Sequence, residues 1–221
     1  MRSYRQYCGL ARGLDVVGDR WALLVVRELL EGPRRYNQLL DGLPGIATNL
    51  LVERLRALEE GGVVLRRDDQ TYALTEWGEG LREAVYALGR WASPLMSRMA
   101  PEDEFRSHWV AHPIHLLYEG VDRSRPRLTV EVNTGDAPMT IESAAGRVRV
   151  FAGRPKSADL VLSGPPDGVV GLLSGRLDRA AARKLGVSVE GDLDQLEKLR
   201  PRSISAGGQD KSGRGAARSS V

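Results

Sequence analysis

The stretch from Ala47 to Leu74 constrains the fold more than any other, because its hydrophobic period changes once, abruptly, at a pair of glycines. Leu51, Leu55 and Leu58 recur at i, i+4 and i+7, which predicts a helix over Ala47–Glu60 with one buried stripe. Thr48, Asn49, Val52, Glu53 and Arg56 fall on the opposite face, free to touch something. After Gly61 and Gly62 the chain alternates instead. Val63–Arg67 and Thr71–Leu74 read as two strands around the turn Asp68, Asp69, Gln70, a hairpin with Arg66 and Arg67 beside its tip.

A helix with one buried stripe needs partners, and the preceding residues supply them. Leu10, Leu14 and Val17 share a helical face; Gly18 interrupts, and Asp19 is placed to cap a second helix carrying Trp21, Leu24, Val25, Leu29 and Leu30. Gly32 and Pro33 end it. A short helix over Asn37–Asp41, with Arg34, Arg35 and Asn37 at its start, closes at Gly42 and turns through Leu43, Pro44 and Gly45. Beyond the hairpin, Thr75 caps a final helix expected to run from Glu76 to Met99, its stripe of Leu81, Val85, Leu88, Ala92 and Leu95 edged by Trp91. That stripe is longer than one small domain can cover.

A short helix, a tight turn, a second helix with a polar outer face and a basic hairpin suit duplex DNA, because the major groove admits one helix while the hairpin reaches the flanking backbone. Tyr7-Cys8-Gly9-Leu10-Ala11-Arg12-Gly13-Leu14-Asp15-Val16-Val17-Gly18-Asp19-Arg20-Trp21, Arg27-Glu28-Leu29-Leu30-Glu31-Gly32-Pro33-Arg34-Arg35-Tyr36, Leu43-Pro44-Gly45-Ile46, Arg54 to Gly62 and Tyr72-Ala73-Leu74-Thr75 together resemble the HxlR family of winged helix-turn-helix regulators. The resemblance implies a homodimer, built from the first and last helices, on a pseudo-palindromic double-stranded operator. One departure stands out: the hairpin tip is shorter than usual for the family and lacks its prolines.

Within that frame Thr48, Asn49 and Arg56 are expected to read base edges, and Arg34, Arg35, Asn37, Arg66 and Arg67 to hold phosphates. The competing reading makes Asn37 a helix cap and Arg66 and Arg67 the solubilising charges of an edge strand. Arg54, next to the buried stripe, is expected to pair with Glu28 or Asp41. Cys8, the only cysteine, is either a small packed residue or, as in some members of the family it resembles, a redox sensor. A lone cysteine forms no internal bridge and fits a reducing, cytoplasmic setting. No apolar run approaches the roughly 20 residues a membrane span needs.

The chain of 221 residues has room for more than one compact unit. Acidic residues 100–107 follow the first hundred, dividing a winged helix-turn-helix domain (1–99) from a second domain (108–200). A tail (201–221) is expected to be disordered; its Arg202, Lys211, Arg214 and Arg218 against Asp210 equal the whole chain's net charge of +3. In the second domain Trp109–Tyr118 is amphipathic. Strands are expected at Arg127–Val132, Met139–Glu142, Arg147–Val150, Ala158–Leu162 and Val187–Glu190, and helices at Pro166–Leu173, Asp178–Leu185 and Leu193–Leu199. The class is α+β: an antiparallel sheet with helices on one face and an apolar cavity between the layers.

Ala158 to Gly164, Leu172 to Asp178 and Val189 to Asp192 resemble sterol-carrier-protein-like domains. The resemblance implies a hydrophobic small-molecule effector, with Trp109, Leu116, Leu160, Leu162 and Leu173 as its lining. His108, His112 and His115 share helical spacing, but Pro113 interrupts them and no carboxylate follows, so neither metal nor cofactor is expected. No nucleophile–base pair, phosphate-cradling loop or paired catalytic carboxylates point to an enzyme. The expected function is therefore a DNA-binding regulator, more specifically a repressor, with the helix from Glu76 to Met99 coupling effector to operator. The alternative is a dimeric hydrophobic-ligand binding protein without DNA affinity.

Overall fold

The computed structural model of the protein describes residues 3–96, 98–118 and 126–197. The first half runs α1 (Gly9–Val17), α2 (Ala22–Leu29), β1 (Arg34–Arg35), α3 (Tyr36–Asp41), α4 (Thr48–Glu60), β2 (Val64–Arg66), β3 (Thr71–Leu74), α5 (Glu76–Glu79) and α6 (Arg82–Ala92). The stripe of Leu51, Leu55 and Leu58 packs against Val25, Val26 and Leu29 of α2 and Leu39 of α3, in one core. β1, β3 and β2 form a three-stranded antiparallel sheet, with Arg34 opposite Tyr72 and Arg35 opposite Thr71.

Local chemistry accounts for most boundaries, and three differ from expectation. Arg34 and Arg35 do not open a helix but pair as a strand, because β3 offers them an unpartnered edge. Asp19 does not cap α2 with its side chain; its carboxylate turns to Arg54 instead. The helix from Glu76 to Met99 is broken. Thr75 Oγ1 accepts from the Gly78 amide at 3.0 Å and so starts α5, yet α5 stops at Gly80, and after α6 a 3₁₀ turn occupies Ser93–Met96. A β-carbon on Gly78 would lie 2.1 Å from the Val63 carbonyl, so close packing on the hairpin requires glycine there. Glycines at 78 and 80 and proline at 94 weaken helix continuity on both sides of α6.

The second half contains a 3₁₀ turn (Ser107–Val110) and α7 (Ala111–Tyr118), then β4 (Leu128–Thr134), β5 (Ala137–Ala144), β6 (Arg147–Ala152), β7 (Leu160–Ser163), α8 (Pro166–Leu173), α9 (Arg179–Lys184), β8 (Ser188–Gly191) and α10 (Asp194–Glu197). The sheet order is β6-β5-β4-β7-β8. It is not wholly antiparallel: β7 pairs parallel to β4, with Val130 opposite Leu160. Residues 153–159 carry the chain from the edge strand β6 past β5 and β4 to the interior strand β7. Thr140 donates to the Gly153 carbonyl at 2.7 Å, and Arg154 pairs with the nearly buried Glu131, so polar side chains hold this connection. The other face carries Leu128, Val130, Val132, Ile141, Leu160 and Leu162, closed over by Ile114 of α7 and Val169, Leu172 and Leu173 of α8. The expected tail (201–221) and the side chain of Leu116 lie outside the described residues.

The two halves meet at a carboxylate. Glu28 of α2 is wholly buried and surrounded by donors: Arg27 at 2.8 Å from Oε1, Trp109 Nε1 at 2.9 Å from the same oxygen, and His108 Nε2 at 2.7 Å from Oε2. Arg27 also lies over the Trp109 ring, 4.4 Å from its centroid. Burial pushes the Glu28 carboxyl up, but the His108 hydrogen bond, the Arg27 charge and the Trp109 N–H together outweigh it and hold the group below its usual value. One turn along, His115 approaches Glu31 at 3.5 Å, and Arg106 donates to the Asp41 carbonyl at 3.0 Å. Gly42 makes the carboxylate's site possible: a β-carbon there would sit 2.3 Å from Glu28 Oε2.

His112 lies between these pairs. Part of its ring lines a cleft, but both ring nitrogens are closed off and have no hydrogen-bond partner among the described residues. Burial and the nearby Arg27 charge lower its pKa to about 4, against the opposing pull of Glu31 and Glu28.

Two outcomes follow. Glu28→Ala strands Arg27 and Trp109 without their acceptor, and urea unfolding should show a loss of about 3–5 kcal/mol. A loss under about 1 kcal/mol would mean the contact is not structural. For His112 the unfolded chain gains a proton near pH 6.5, whereas the folded one resists until about 4. Its contribution is thus fully present above pH 6.5 and falls away as pH drops toward 4, by about 3 kcal/mol at most. Urea titrations between pH 7.5 and 4.5 should show this slope and its reduction in His112→Phe.

Candidate nucleic-acid interface

Helix α4 is held by its buried side and presents its polar side. The turn before it needs Gly45 in the left-handed region (φ +84°), and the Ile46 amide bonds the Leu43 carbonyl at 3.1 Å. Tyr36 of α3 donates to the Thr48 carbonyl at 2.9 Å, tying the two helices of the motif together at the tip. Arg54 fastens the middle of α4. It reaches neither Glu28 nor Asp41 but Asp19, at 3.0 Å, and the Arg20 carbonyl, at 3.1 Å, which locks α4 to the loop before α2. Glu28 is unavailable because Arg27, Trp109 and His108 already occupy its two oxygens.

With those anchors in place Thr48, Asn49, Val52 and Arg56 are exposed together on one face of α4. Asn37 on α3 and Arg35 on β1 are exposed as well, as are Arg66 and Arg67 on the hairpin. Arg34 stands apart from this set. Its Nε donates to the Glu28 carbonyl at 2.8 Å and its guanidinium turns inward, leaving the side chain 21% exposed. Asn37 makes no side-chain cap; at the start of α3 the Gln38 side chain reaches back instead, its Oε1 accepting from the Arg35 amide at 2.8 Å.

The hairpin carries a mixed charge at its tip. Arg66 reaches Gln70 and lies beside the Tyr72 ring, while Asp68 and Asp69 are exposed between the two arginines and the returning strand. Asp69 closes the turn, its Oδ1 accepting from the Thr71 amide at 3.0 Å and from the Thr71 hydroxyl at 2.6 Å. These bonds hold its carboxyl below the usual range. Two acids at the tip oppose phosphate, so the wing's attraction rests on Arg66 and Arg67 alone.

The expected ligand residues separate. Leu160, Leu162 and Leu173 are fully buried in the layer between sheet and helices and contribute no wall to an opening. Trp109 does line one, a cleft of about 480 Å³ bounded by α2 and α6 on one side and by residues 103–113 and the start of α8 on the other. Sequence reasoning missed this cleft, and the buried pairing of Glu28 with His108 and Trp109. The three histidines were visible as a cluster, but their acidic partners lie some 80 residues away. Cys8 is exposed just before α1, and the amides of Ala11 and Leu10 lower its thiol pKa.

A sequence model of the HxlR-like helix-turn-helix family matches residues 16–100. The HTH-type transcriptional regulator sll1512 of Synechocystis is 34% identical over 101 residues, covering 43% of this chain and 75% of that protein. The regulator YkvN of Bacillus subtilis is 31% identical over 104 residues, 44% of this chain and 88% of that one. Among solved structures, quinone-bound YodB from B. subtilis shares 30% identity over 38% of this chain and 96% of its own, with a TM-score of 0.36. No helix among the described residues is long and apolar enough to cross a membrane. The chain belongs to the HxlR-like helix-turn-helix family and is a DNA-binding transcriptional regulator.

Proposed function

We propose that the protein is a homodimeric repressor that lays α4 of each subunit into successive major grooves of a pseudo-palindromic operator, and that a hydrophobic small molecule received by the second half alters that fit. The observation that carries the DNA reading is the open polar face of α4: Thr48, Asn49 and Arg56 are exposed although the second half is packed on the same small domain. Thr48 and Asn49 begin the helix, where side chains approach base edges most closely, and Arg56 lies two turns on. Arg35, Asn37, Arg66 and Arg67 are placed to hold phosphates. Arg34 serves mainly to position the Glu28 backbone and adds only its charge.

Dimerisation is supported by apolar side chains that no described residue covers. Tyr7, Leu10 and Leu14 on and beside α1, and Leu88, Trp91 and Leu95 on and after α6, are all at least 39% exposed. Such clusters mark interaction surfaces more often than chance exposure. Family resemblance assigns the same two helices to the subunit contact.

Retardation of the DNA upstream of the protein's own gene tests the reading. A complex of two chains per site should persist against nonspecific competitor, and transcription from that promoter should rise when the gene is deleted. Arg56→Ala should weaken specific binding about tenfold or more and relax base discrimination. Arg67→Ala should weaken binding to every duplex and reduce the salt slope by about 1. Asp68→Asn should raise affinity for any sequence by removing a like charge from the wing. Trp91→Glu should yield a monomer on sizing chromatography with little operator affinity. Absence of any competitor-resistant complex would sink the reading.

A further inference from the structure

The cleft between the halves opens onto the surface assigned above to the subunit contact. Leu88 of α6 and Leu95 of the turn after it wall the cleft on one side, and both are among the large apolar side chains left exposed. The opposite wall belongs to the second half, through Trp109, Pro113, Pro166 and Val170. Any body that covers Leu88 and Leu95 therefore stands at the mouth of this recess and meets the second half as well. The recess has a volume of about 480 Å³, room for a few large side chains. A small molecule lodged inside would leave the mouth in water, where Leu95 is 78% exposed, whereas a folded partner covers mouth and interior together.

The same chain carries a matching projection. Tyr7, Leu10 and Leu14 stand at i, i+3 and i+7, the spacing with which an amphipathic helix lays one face into an apolar groove. Tyr7 is fully exposed and Leu10 is 72% exposed, and only Ala11 and Val17 of α1 are buried. The start of α1 stands clear of its own domain: a β-carbon placed on Gly9 or Gly13 would meet nothing within 4 Å. Residues 7–11 carry no charge. They suit a recess whose wall charges cancel, with Arg27, Arg98 and Arg176 set against Asp103, Glu104 and Asp167. Among the described residues none of α1 lines the cleft of its own chain, since α1 rests on α4 instead. A projection and a recess at separate places on one chain are both filled by a twofold dimer, in which each subunit gives one and receives the other.

We propose that the cleft receives the start of α1 from a second copy of this chain, so that the second half is itself part of the subunit contact. The inference rests on the homodimer proposed above and says where the second copy lies. It also supplies a route to DNA that the broken helix does not. Glu28 fixes the start of the second half to α2. A shift of Trp109 or of α8 in one subunit then moves the partner's α1, and with it the spacing of the two recognition helices.

Cys8, exposed beside Tyr7 and the only cysteine of the chain, is the reporter. The full-length protein carrying Asp167→Cys is treated with a short bismaleimide, resolved on a denaturing gel and mapped by mass spectrometry after digestion. Asp167 is half-buried in the cleft wall, and its carboxylate accepts from the amide of its neighbour Gly168, so the substitution breaks a local bond. Arg176→Cys, exposed on the same wall, carries the test if the first variant folds poorly. The expected product is a two-chain species linked from Cys8 of one chain to the introduced thiol of the other. Its yield should exceed that of Glu190→Cys, on β8 away from the cleft, by at least about tenfold, because a seated helix raises the local thiol concentration. Adding Cys8→Ser should abolish the link, and so should Leu10→Glu, which charges the entering face. The proposal is overturned if the dimer is linked only from Cys8 to Cys8, if the introduced thiol is reached only within single chains, or if neither cleft position is linked. Sizing chromatography separates this inference from the reading it rests on. A dimer without the link defeats the inference alone, whereas a single chain at every concentration defeats the homodimer as well.

Discussion

The buried carboxylate of Glu28 is the constraint on which the arrangement of the whole molecule depends. A carboxylate removed from water is strongly unfavourable unless its oxygens are matched by donors, and here those donors come from both halves. Arg27 and the neighbouring Arg34 belong to the DNA-binding half, whereas His108 and Trp109 arrive from the start of the second. Neither half can satisfy the group alone. The second half is consequently docked in one orientation on α2 and the end of α3, and the exposed faces of α4 and the wing are what that docking leaves open.

This arrangement also explains which basic residues remain for a polyanion. Arg27, Arg34 and Arg54 are spent on internal acceptors: the Glu28 carboxylate, three backbone carbonyls and Asp19. Arg35, Arg56, Arg66 and Arg67 are left outward on β1, α4 and the hairpin. Net charge says little about this, since the molecule as a whole carries only +3. Sequence-independent attraction to DNA is set by where the guanidiniums point, and the acids at the wing tip locally reduce it.

The second half combines two kinds of packing with different consequences. Between sheet and helices the apolar residues interlock fully, so a ligand there would have to displace core side chains. Between the halves the surfaces meet through ion pairs and aromatic edges, which need particular geometry and leave space unfilled. A cleft at such a joint is sensitive to movement of either side, whereas a cavity inside the sheet–helix layer would report only on the second half. The interruptions at Gly80 and near Pro94 make α6 a short, separately placed element in the cleft wall rather than a rigid rod joining the halves.

Local periodicity determined much on its own: the stripe of α4, the hairpin after Gly61 and Gly62, the cap at Thr75 and most strands of the second half were legible because each depends on neighbours within a few residues. The polar face of α4 was legible for the same reason, since a helix that buries Leu51, Leu55 and Leu58 has no choice about where Thr48 and Arg56 go. What only the tertiary structure decided are the contacts across long sequence separations. Arg34 turning inward, Arg54 choosing Asp19, the parallel pairing of β4 with β7 and the meeting of Glu28 with His108 all depend on which distant group reaches an unsatisfied donor, acceptor or strand edge first. Hydrogen bonding and charge have no period along a chain, so such partners become visible only once the chain has folded.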